Sequence, residues 1–522
     1  MPAGSVSDNC VLAVDIGTQS TRAALVDPAG VIVDVAGSPV DLFAPRAGWA
    51  EQDPDQWWST TVANIAAVMA RNPGARVAAA GVSAQMHSLV AVDAAGRSLT
   101  PRSAIWSDKR CLDQVAGFAR RPDAAQLSRL AGNQPLPAWA GFKMAWLRDR
   151  DPDAYAAASR LLVAKDFINL RLCGVAATDP AEASGTFLCD ARTGQWSAPL
   201  LDAVGVDRAR LPDIAGSAEV IGTVRAEVAG VTGLPAGLPV VAGSGDMMCQ
   251  LLGTGVTCPG RVGLVAGTAS IVAAAAGQVS DDSRVMNLRS ASGNWMHFGI
   301  SDAAGQAFRW FADELGGADG TGPGPGRVGY AELTGLAAQV EAGAGGLLFM
   351  PYLLGERTLG SAQSRGGFIG ATLGHGRAHF VRAVLEGITF EDRRALEAVC
   401  PGGPAGPVRC CGGGAGSALW NQLRADILGH PVQTLACAEG GLLGAAILAG
   451  TGAGWYPDAA AGADKVVAPA GRWDPRPGEA AVYERAFATF CAAHDALADL
   501  WPRWCGGDGG GQAADRRPAA GQ

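Results

Sequence analysis

Residues 10–26 read CVLAVDIGTQSTRAALV, and this stretch decides the fold. Two apolar runs flank a short polar turn, Gly17-Thr18-Gln19-Ser20, and Asp15 lies near the end of the first run. Apolar runs of this length beside turn residues predict two buried strands, Cys10–Ile16 and Thr21–Asp27, joined as a hairpin.

The rest of the first hundred residues alternates strands with a helix. The turn Pro28-Ala29-Gly30 leads into a third predicted strand, Val31–Val35. Asp53-Pro54 predicts a helix start, with Asp as the N-cap and Pro at the first helical position. The runs Arg76–Val82 and Ser88–Val92 predict further strands. Three meandering strands followed by a helix and more strands indicate an α/β protein.

The second half of the sequence repeats the hairpin pattern. Gly267-Thr268-Ala269-Ser270 lies between the apolar runs Arg261–Ala266 and Ile271–Ala275, as residues 17–20 lie between theirs. This echo predicts two related lobes, each offering a tight hairpin to one ligand in the cleft between them. The length of 522 residues suits two domains, because a single core stops growing at roughly 250–300 residues, and we expect the boundary near residues 245–257.

The composition excludes several classes of protein. A net charge of −8 argues against a nucleic-acid binder or a binder of anionic membranes, and 48% hydrophobic residues argue against disorder. The 12 cysteines contain no C-x-x-C pair and the N-terminus carries no signal-peptide pattern, so we expect a reduced, cytoplasmic protein. The uncharged run Val262–Val279 predicts two strands with a turn rather than a membrane span.

The first hairpin can bind phosphate. Backbone N–H groups and the hydroxyls of the Gly17-Thr18-Gln19-Ser20 turn can hold phosphate oxygens. A carboxylate such as Asp15 beside phosphates requires a cation between them, and Mg²⁺ is the usual one. The same residues also fit a plain turn with a solvated aspartate.

Two further turns carry residues of similar chemistry. The run 412–417, GGGAGS, follows a predicted strand, Val408–Cys411, and opens a predicted helix, Ser417–Leu428. That placement suits a phosphate or a nucleoside, although a Gly-rich connection fits as well. Asp246 follows a strand in a Gly-rich turn, where it could accept a proton from a hydroxyl that attacks a phosphoryl group, or could be an ordinary turn residue. The sequence lacks the H-E-x-x-H and G-x-S-x-G motifs of zinc proteases and serine hydrolases.

Taken in order, the motifs resemble those of the FGGY carbohydrate kinases, within the actin/hexokinase-like ATPase superfamily, over roughly residues 10–450. The stretches that carry the resemblance are 14–18 (VDIGT), 49–54 (WAEQDP), 85–87 (QMH), 105–108 (IWSD), 143–147 (KMAWL), 165–166 (KD), 245–246 (GD), 267–268 (GT), 355–358 (GERT), 412–415 (GGGA) and 420–422 (WNQ). Residues 143–147 resemble the family's first signature, and residues 366–386 resemble the second. Ala371 departs mildly from the second signature, which prefers a larger aliphatic residue there. The resemblance implies a two-lobed α/β fold of duplicated RNase H-like domains, with the active site in the interlobe cleft.

The resemblance also implies a division of the chain. Residues 10–250 would form an N-terminal kinase domain with the sugar site, the metal site and the first phosphate hairpin. Residues 251–452 would form a C-terminal kinase domain with the second hairpin and the adenosine pocket. A helical extension, 453–505, and a disordered tail, 506–522, would follow, and the Gly/Pro-rich run 318–328 would be a mobile loop. ATP and Mg²⁺ would be the cofactors and a small sugar the partner, with a homodimer left open.

Each site residue has an implied role. Asp15 would help to place Mg²⁺, and Asp246 would be the general base. The nucleotide would contact Thr18, Gln19, Gly267, Thr268, Gly413, Gly414, Ser417 and Asn421. The sugar would contact Met86, His87, Asp246, Met247 and Trp106, with Asp108 nearby as a weaker candidate.

Within the family, the stretches 85–87 and 355–358 are most similar to xylulokinases, which implies phosphorylation of D-xylulose to D-xylulose 5-phosphate. Met247 departs from that pattern, because xylulokinases commonly have Asn there, and the change removes a polar contact of about 0.5–1.5 kcal/mol. Other ketoses or polyols therefore stay open: L-xylulose, ribulose, a deoxy sugar, erythritol and glycerol. A non-catalytic sugar-binding regulator is the rival of another class, and the presence of both Asp15 and Asp246 counts against it.

Overall fold

The computed structural model describes residues 9–315, 329–356 and 363–505. Two mixed sheets of seven strands each organise this part of the chain, so the predicted two-lobed α/β architecture is confirmed. The predicted loop at 318–328 and the predicted tail at 506–522 lie outside the described residues, as do Arg357 and Thr358 of the GERT stretch.

The first sheet begins with the predicted meander. Its strand order is Val220–Thr223, Pro239–Val241, Arg76–Ala84, Asn9–Ile16, Ser20–Val26 and Ile32–Pro39, and the short strand Ser244–Gly245 also pairs with Arg76–Ala84. The last three strands are antiparallel, whereas Arg76–Ala84 runs parallel to Asn9–Ile16. The carboxyl ends of several strands therefore meet at one edge of the sheet.

The second sheet repeats this plan. Its strand order is Met286–Arg289, Trp295–Ser301, Ser270–Ala276, Val262–Ala266, Val408–Cys411, Val432–Leu435 and Pro469–Trp473. An antiparallel meander is again followed by two parallel strands and an antiparallel edge strand. The G-T-x-S echo in the sequence thus marks corresponding hairpins of two similar sheets. The uncharged run from residue 262 forms two strands of this sheet, and no helix in the described ranges is long and apolar enough to cross a membrane.

Helices cover both sheets, and four short strand pairs complete the described structure. The first lobe has helices Pro54–Arg71, Leu112–Ala119, Ala124–Ala131, Ala140–Arg150, Pro152–Ala157, Ala164–Cys173, Pro180–Ser184, Ala198–Val204, Ala226–Thr232 and Asp246–Gly253. The second has helices Ala304–Glu314, Tyr330–Ala337, Arg377–Val399, Ala418–Leu428, Gly440–Gly452, Ala459–Val466, Pro477–Ala498 and Leu500–Cys505. The short pairs are Glu51–Gln52 with Ser103–Ala104, Val90–Val92 with Arg160–Leu162, Ala177–Thr178 with Asp213–Ile214, and Leu348–Met350 with Gly367–Ile369.

Alternation along the first strand directs Asp15 towards the lobe interface. Leu12 and Val14 belong to the apolar cluster under helix Pro54–Arg71, whereas Val11 and Ala13 belong to the cluster that packs against helix Gly440–Gly452. Because Asp15 continues the second series, its carboxylate faces the start of a helix from the other lobe.

Glycine allows helices Gly440–Gly452 and Asp246–Gly253 to approach one another closely at the lobe interface. A Cβ on Gly444 would lie 2.0 Å from the carbonyl oxygen of Cys249, and one on Gly253 would lie 2.1 Å from that of Gly440. Helices Gly440–Gly452 and Asp246–Gly253 can pack at this distance only without those side chains. The interface brings Asp246 and Asp15 into one region.

Two local predictions differ in detail from the structure. The third strand extends to Pro39 and not only to Val35, because it pairs along the whole of Ser20–Val26. Asp246 does not lie in a turn: it is the first residue of helix Asp246–Gly253, directly after the strand Ser244–Gly245. The predicted cap is as expected, since the Asp53 side chain accepts hydrogen bonds from the backbone at the start of helix Pro54–Arg71.

Candidate active site

Asp15 is fixed by a neighbour on each side within the first sheet. In the strand register it lies opposite Arg22 on the antiparallel strand and opposite Ser83 on the parallel strand. Its Oδ2 accepts a hydrogen bond from Arg22 Nη2 at 2.6 Å, and its Oδ1 accepts one from the Ser83 hydroxyl at 2.7 Å. The residue is 4% exposed, so the carboxylate is held in one orientation where the two lobes meet.

Arg22 connects this carboxylate to the second lobe. Its guanidinium group also donates to the carboxylate of Glu439, the residue before helix Gly440–Gly452. Arg22, Ser83 and Glu439 were not among the residues predicted from the sequence. The contact between Asp15 and Arg22 could have been predicted from the hairpin, because a turn at residues 17–20 places residues 15 and 22 opposite each other.

In each G-T-x-S turn the glycine N–H donates to a backbone carbonyl of the turn, three residues on in the first and two residues on in the second. Gly17 N–H donates to the Ser20 carbonyl at 2.9 Å, and Gly267 N–H donates to the Ala269 carbonyl at 3.0 Å. Gln19, Gly267 and Thr268 are exposed, and Thr18 is half-buried. These predicted phosphate-binding residues are therefore reachable for a ligand, each at the tip of its hairpin.

The third predicted nucleotide turn lies against the second hairpin. A Cβ on Gly412, whose φ is +86°, would lie 2.7 Å from the carbonyl oxygen of Ala266, the residue before the second turn. Gly413 is exposed and Gly414 is half-buried. The Ser417 side chain caps helix Ala418–Leu428 by accepting from the Trp420 N–H at 3.3 Å.

Asn421 stabilises the 412–417 turn from the interior of the protein. The residue is fully buried, and its amide donates to the Ala415 carbonyl at 2.7 Å. Arg424 Nη1 donates to the Asn421 side-chain oxygen and to the Gly414 carbonyl. In this structure Asn421 orders the loop that would receive a nucleotide, and its side chain does not line open surface.

Asp246 lies at the same sheet edge as Asp15. The strand that precedes it pairs with Ser83 and Ala84, so the two carboxylates follow neighbouring strands. Burial, and then the charge of Asp15, raise the pKa of Asp246 to about 7, although the backbone N–H groups of Met247 and Met86 oppose the rise. A carboxylate whose pKa lies near neutrality can both accept and release a proton under ordinary conditions.

The stretch Gln85-Met86-His87 leaves the same edge in a strained conformation. His87 has a φ of 63°, which is uncommon for a residue other than glycine. Its ring stacks edge-on against Trp139 with centroids 5.2 Å apart, and its Nδ1 donates to the Gly185 carbonyl at 2.9 Å. Lys143 donates to the His87 carbonyl at 2.9 Å. Because the surroundings hold His87 in this conformation from three sides, the strain points to a functional position.

Lys143 is the cation that stabilises this turn. Its ammonium group is buried and also donates to the Ala138 carbonyl at 2.5 Å. Burial lowers the pKa of Lys143 to about 8. In the sequence Lys143 stands out only as part of a family signature, and its contact with His87 was not predicted.

Two further candidates for the sugar site, Trp106 and Asp108, follow the short strand Ser103–Ala104. The Trp106 indole N–H donates to the Thr18 hydroxyl at 3.1 Å, so this side chain lies over the first hairpin. Asp108 is 1% exposed and binds Arg110 and the backbone N–H of Ala50. Asp108 therefore supports the surrounding loops, whereas Trp106 faces the cleft with 38% of its surface exposed.

The donor set suits a hard cation that is shared with phosphate. Within residues 9–315, 329–356 and 363–505, no group of three or more His, Cys, Asp or Glu side chains could enclose a metal ion. Asp15 and Asp246 each offer carboxylate oxygens at one edge, beside turns that can bind phosphate. Mg²⁺ typically takes one or two carboxylates and completes its shell with water and substrate phosphates, so these residues fit that ion.

Comparisons with known proteins cover nearly the whole chain. The models for the FGGY family of carbohydrate kinases match residues 10–253 with the N-terminal domain and residues 262–453 with the C-terminal domain. The chain is 30% identical to the xylulose kinase of Lactococcus lactis over 454 residues, which are 85% of this chain and 88% of that protein. The crystal structure of xylulose kinase from Rhodospirillum rubrum has a TM-score of 0.86 at 31% identity and covers 94% of this chain and 99% of its own. That of gluconate kinase from Lactobacillus acidophilus has a TM-score of 0.88 at 26% identity, with 95% and 99% covered.

Proposed function

This chain belongs to the FGGY family of carbohydrate kinases, and from that premise we propose that it phosphorylates a neutral ketose at its terminal hydroxyl, with D-xylulose as the first candidate. The observation that carries the proposal is Asp246, whose pKa of about 7 and position beside Met86 suit a general base facing a sugar hydroxyl. The rival reading, a sugar-binding regulator without turnover, gives no reason for retaining Asp246 beside Asp15.

The reaction we propose moves one proton and one phosphoryl group. The terminal hydroxyl oxygen attacks the γ-phosphorus of ATP while its proton passes to the Asp246 carboxylate, and the bond from the γ-phosphorus to the bridging oxygen breaks to leave ADP. The Gly17 and Gly267 turns would hold the phosphates, and the 412–417 turn would receive the adenosine. Asp15 would hold Mg²⁺, which neutralises phosphate charge when bound.

The charge around Asp246 favours a neutral sugar over an aldonate such as gluconate. The carboxylate of Asp15 adds negative charge that acts on Asp246. The ammonium group of Lys143 is occupied by the carbonyls of His87 and Ala138. This chain is similar to both xylulose and gluconate kinases. Because of the negative charge beside Asp246, we place the neutral ketose first.

The test is ADP release with MgATP over D-xylulose, L-xylulose, D-ribulose, erythritol, glycerol, gluconate and a control without sugar. We expect the largest kcat/KM with a ketopentose and no release above the control with gluconate. Gluconate as the best substrate would overturn the charge argument. No ADP release above the control with any sugar, together with normal ATP binding, would contradict the kinase proposal and favour the regulator.

Met247 makes a separate prediction about which neutral sugar is preferred. Met247→Asn should raise kcat/KM for D-xylulose by about three- to tenfold, because an amide restores a hydrogen bond of about 0.5–1.5 kcal/mol. The matched control is Met247→Leu, which keeps the apolar character and should leave the ranking of sugars unchanged. If Met247→Asn gains nothing on D-xylulose but loses activity on erythritol, the native pocket is built for the polyol.

A further inference from the structure

Glu182 is a buried carboxyl group that has no hydrogen-bond partner within the described chain. The residue is 1% exposed, and neither carboxyl oxygen reaches a donor or acceptor there. It belongs to the short helix Pro180–Ser184, whose start is capped by Asp179. Leaving such a group buried without a partner costs free energy, so its retention calls for a function.

The position of Glu182 is directly behind the proposed sugar site. A Cβ on Gly245 would lie 3.0 Å from Glu182 Oε1 and 2.4 Å from Met86 Cγ, so these groups pack against one another. Gly245 immediately precedes Asp246. One turn further along, the Gly185 carbonyl accepts from His87 Nδ1. The segment that carries Glu182 therefore lies beside Met86, contacts His87, and packs against Gly245, the residue before the proposed base.

Burial and the charges around Glu182 favour its protonated form. The Lys165 ammonium group is 2.6 Å from Asp166 Oδ1 and 3.6 Å from Asp179 Oδ1, so these two aspartates take up its charge. Burial, and then the negative charge of Asp179, raise the pKa of Glu182 well above its ordinary value, and Asp166 and Asp246 act in the same direction. The rise in pKa favours the carboxylic acid form of Glu182, which has one O–H to donate and one carbonyl oxygen to accept.

We propose that Glu182 is a specificity-determining residue whose carboxyl group hydrogen-bonds a secondary hydroxyl of the sugar near its phosphorylated end. This inference rests on the proposed function. The Met86 side chain lies beside Glu182 at Gly245, and an unbranched thioether can turn aside when the sugar enters. Glu182 then supplies a polar contact that Met247 cannot supply, which makes the site select a polyhydroxylated substrate over its deoxy analogue.

The experiment compares Glu182→Gln with Glu182→Leu on the sugar that the wild type phosphorylates and on analogues that each lack one secondary hydroxyl. Glu182→Gln keeps a donor and an acceptor, so kcat/KM should stay within about threefold of the wild type. Glu182→Leu should lower kcat/KM for the complete sugar about tenfold and change it less than about twofold for one deoxy analogue. If Glu182 had a purely structural role, Glu182→Leu would instead lower kcat/KM equally for all substrates.

A pH profile keeps the proposal testable if Glu182→Leu does not fold. The titratable groups that face Glu182 are Asp246, Asp179, Asp166 and Lys165. Wild-type kcat/KM should fall on the alkaline side as Glu182 loses its proton, and Glu182→Gln should lack that fall. Identical alkaline profiles, or equal losses on complete and deoxy sugars, would overturn the role of Glu182 alone. A wild type without sugar-dependent ADP release would contradict the proposed function as well.

Discussion

Replacing Asp246 with asparagine is expected to lower kcat for sugar phosphorylation about 1,000-fold, because the amide cannot accept the hydroxyl proton. ATP binding should persist, since the turns at Gly17, Gly267 and 412–417 do not depend on this side chain. The measurement is steady-state ADP release with the preferred sugar, together with ATP binding by calorimetry. The matched control is Asp34→Asn, which removes a carboxylate paired with Arg71 away from the cleft and should stay within about twofold.

The same carboxylate sets the expected pH dependence. Because only the ionised form of Asp246 is a base, kcat/KM in the wild type should fall about tenfold per pH unit below the pKa of about 7. The shift also has a stability consequence. A carboxyl group whose pKa is higher in the folded than in the unfolded protein stabilises the fold at low pH, and this contribution is lost as the pH rises through its folded pKa. Asp246→Asn should therefore have a higher Tm than the wild type at pH 8.

Either of two outcomes would contradict the assignment of Asp246 as the base. One is wild-type kcat in Asp246→Asn. The other is loss of activity with a lower Tm at pH 8, which would indicate that the carboxylate holds the fold together. Activity lost while the Tm rises is the result that separates a catalytic group from a structural one, since active-site groups are commonly retained at a cost in stability.

The local parts of this fold could be predicted from neighbouring residues. The hairpin at residues 10–26 and its echo at 262–276 appear as apolar runs around short turns, and both occur in the sheets. The start of helix Pro54–Arg71 followed from Asp53-Pro54, because a cap involves residues adjacent in the chain. These features depend on interactions within a few residues, which a single sequence displays.

The parts of the candidate site that escaped prediction depend on distant contacts. Arg22 and Glu439 are 417 residues apart in the chain, and no local sequence pattern at either residue predicts their ion pair. Lys143 holds the His87 carbonyl from 56 residues away. Asn421 matched a family motif, yet only the structure shows that its amide is turned towards Ala415. Glu182 belongs to none of the motifs in the sequence, and only its burial and the charges around it distinguish it.

Asp15→Asn is expected to lower kcat about 100-fold and to raise the Mg²⁺ concentration needed for half-maximal activity. An amide cannot supply the anionic oxygen that a hard cation prefers, and changes to residues around a metal typically cost 10–100-fold in affinity or activity. The measurement is ADP release over a Mg²⁺ titration at fixed ATP and sugar. Sugar binding, followed as a sugar-dependent shift in Tm, should be retained.

Ser83→Ala is the control that separates the charge of Asp15 from its orientation. It removes the 2.7 Å hydrogen bond to Asp15 Oδ1 but leaves the carboxylate and its contact with Arg22 in place. A loss of about tenfold or less, with an unchanged Mg²⁺ midpoint, is expected. If Asp15→Asn also left the Mg²⁺ midpoint unchanged, Asp15 would act only by anchoring Arg22 against Glu439, and the metal would have to be held by ATP and Asp246 without it. The Mg²⁺ midpoint, more than the loss of rate, therefore decides the role of Asp15, because breaking the Arg22 ion pair would slow the enzyme in either case.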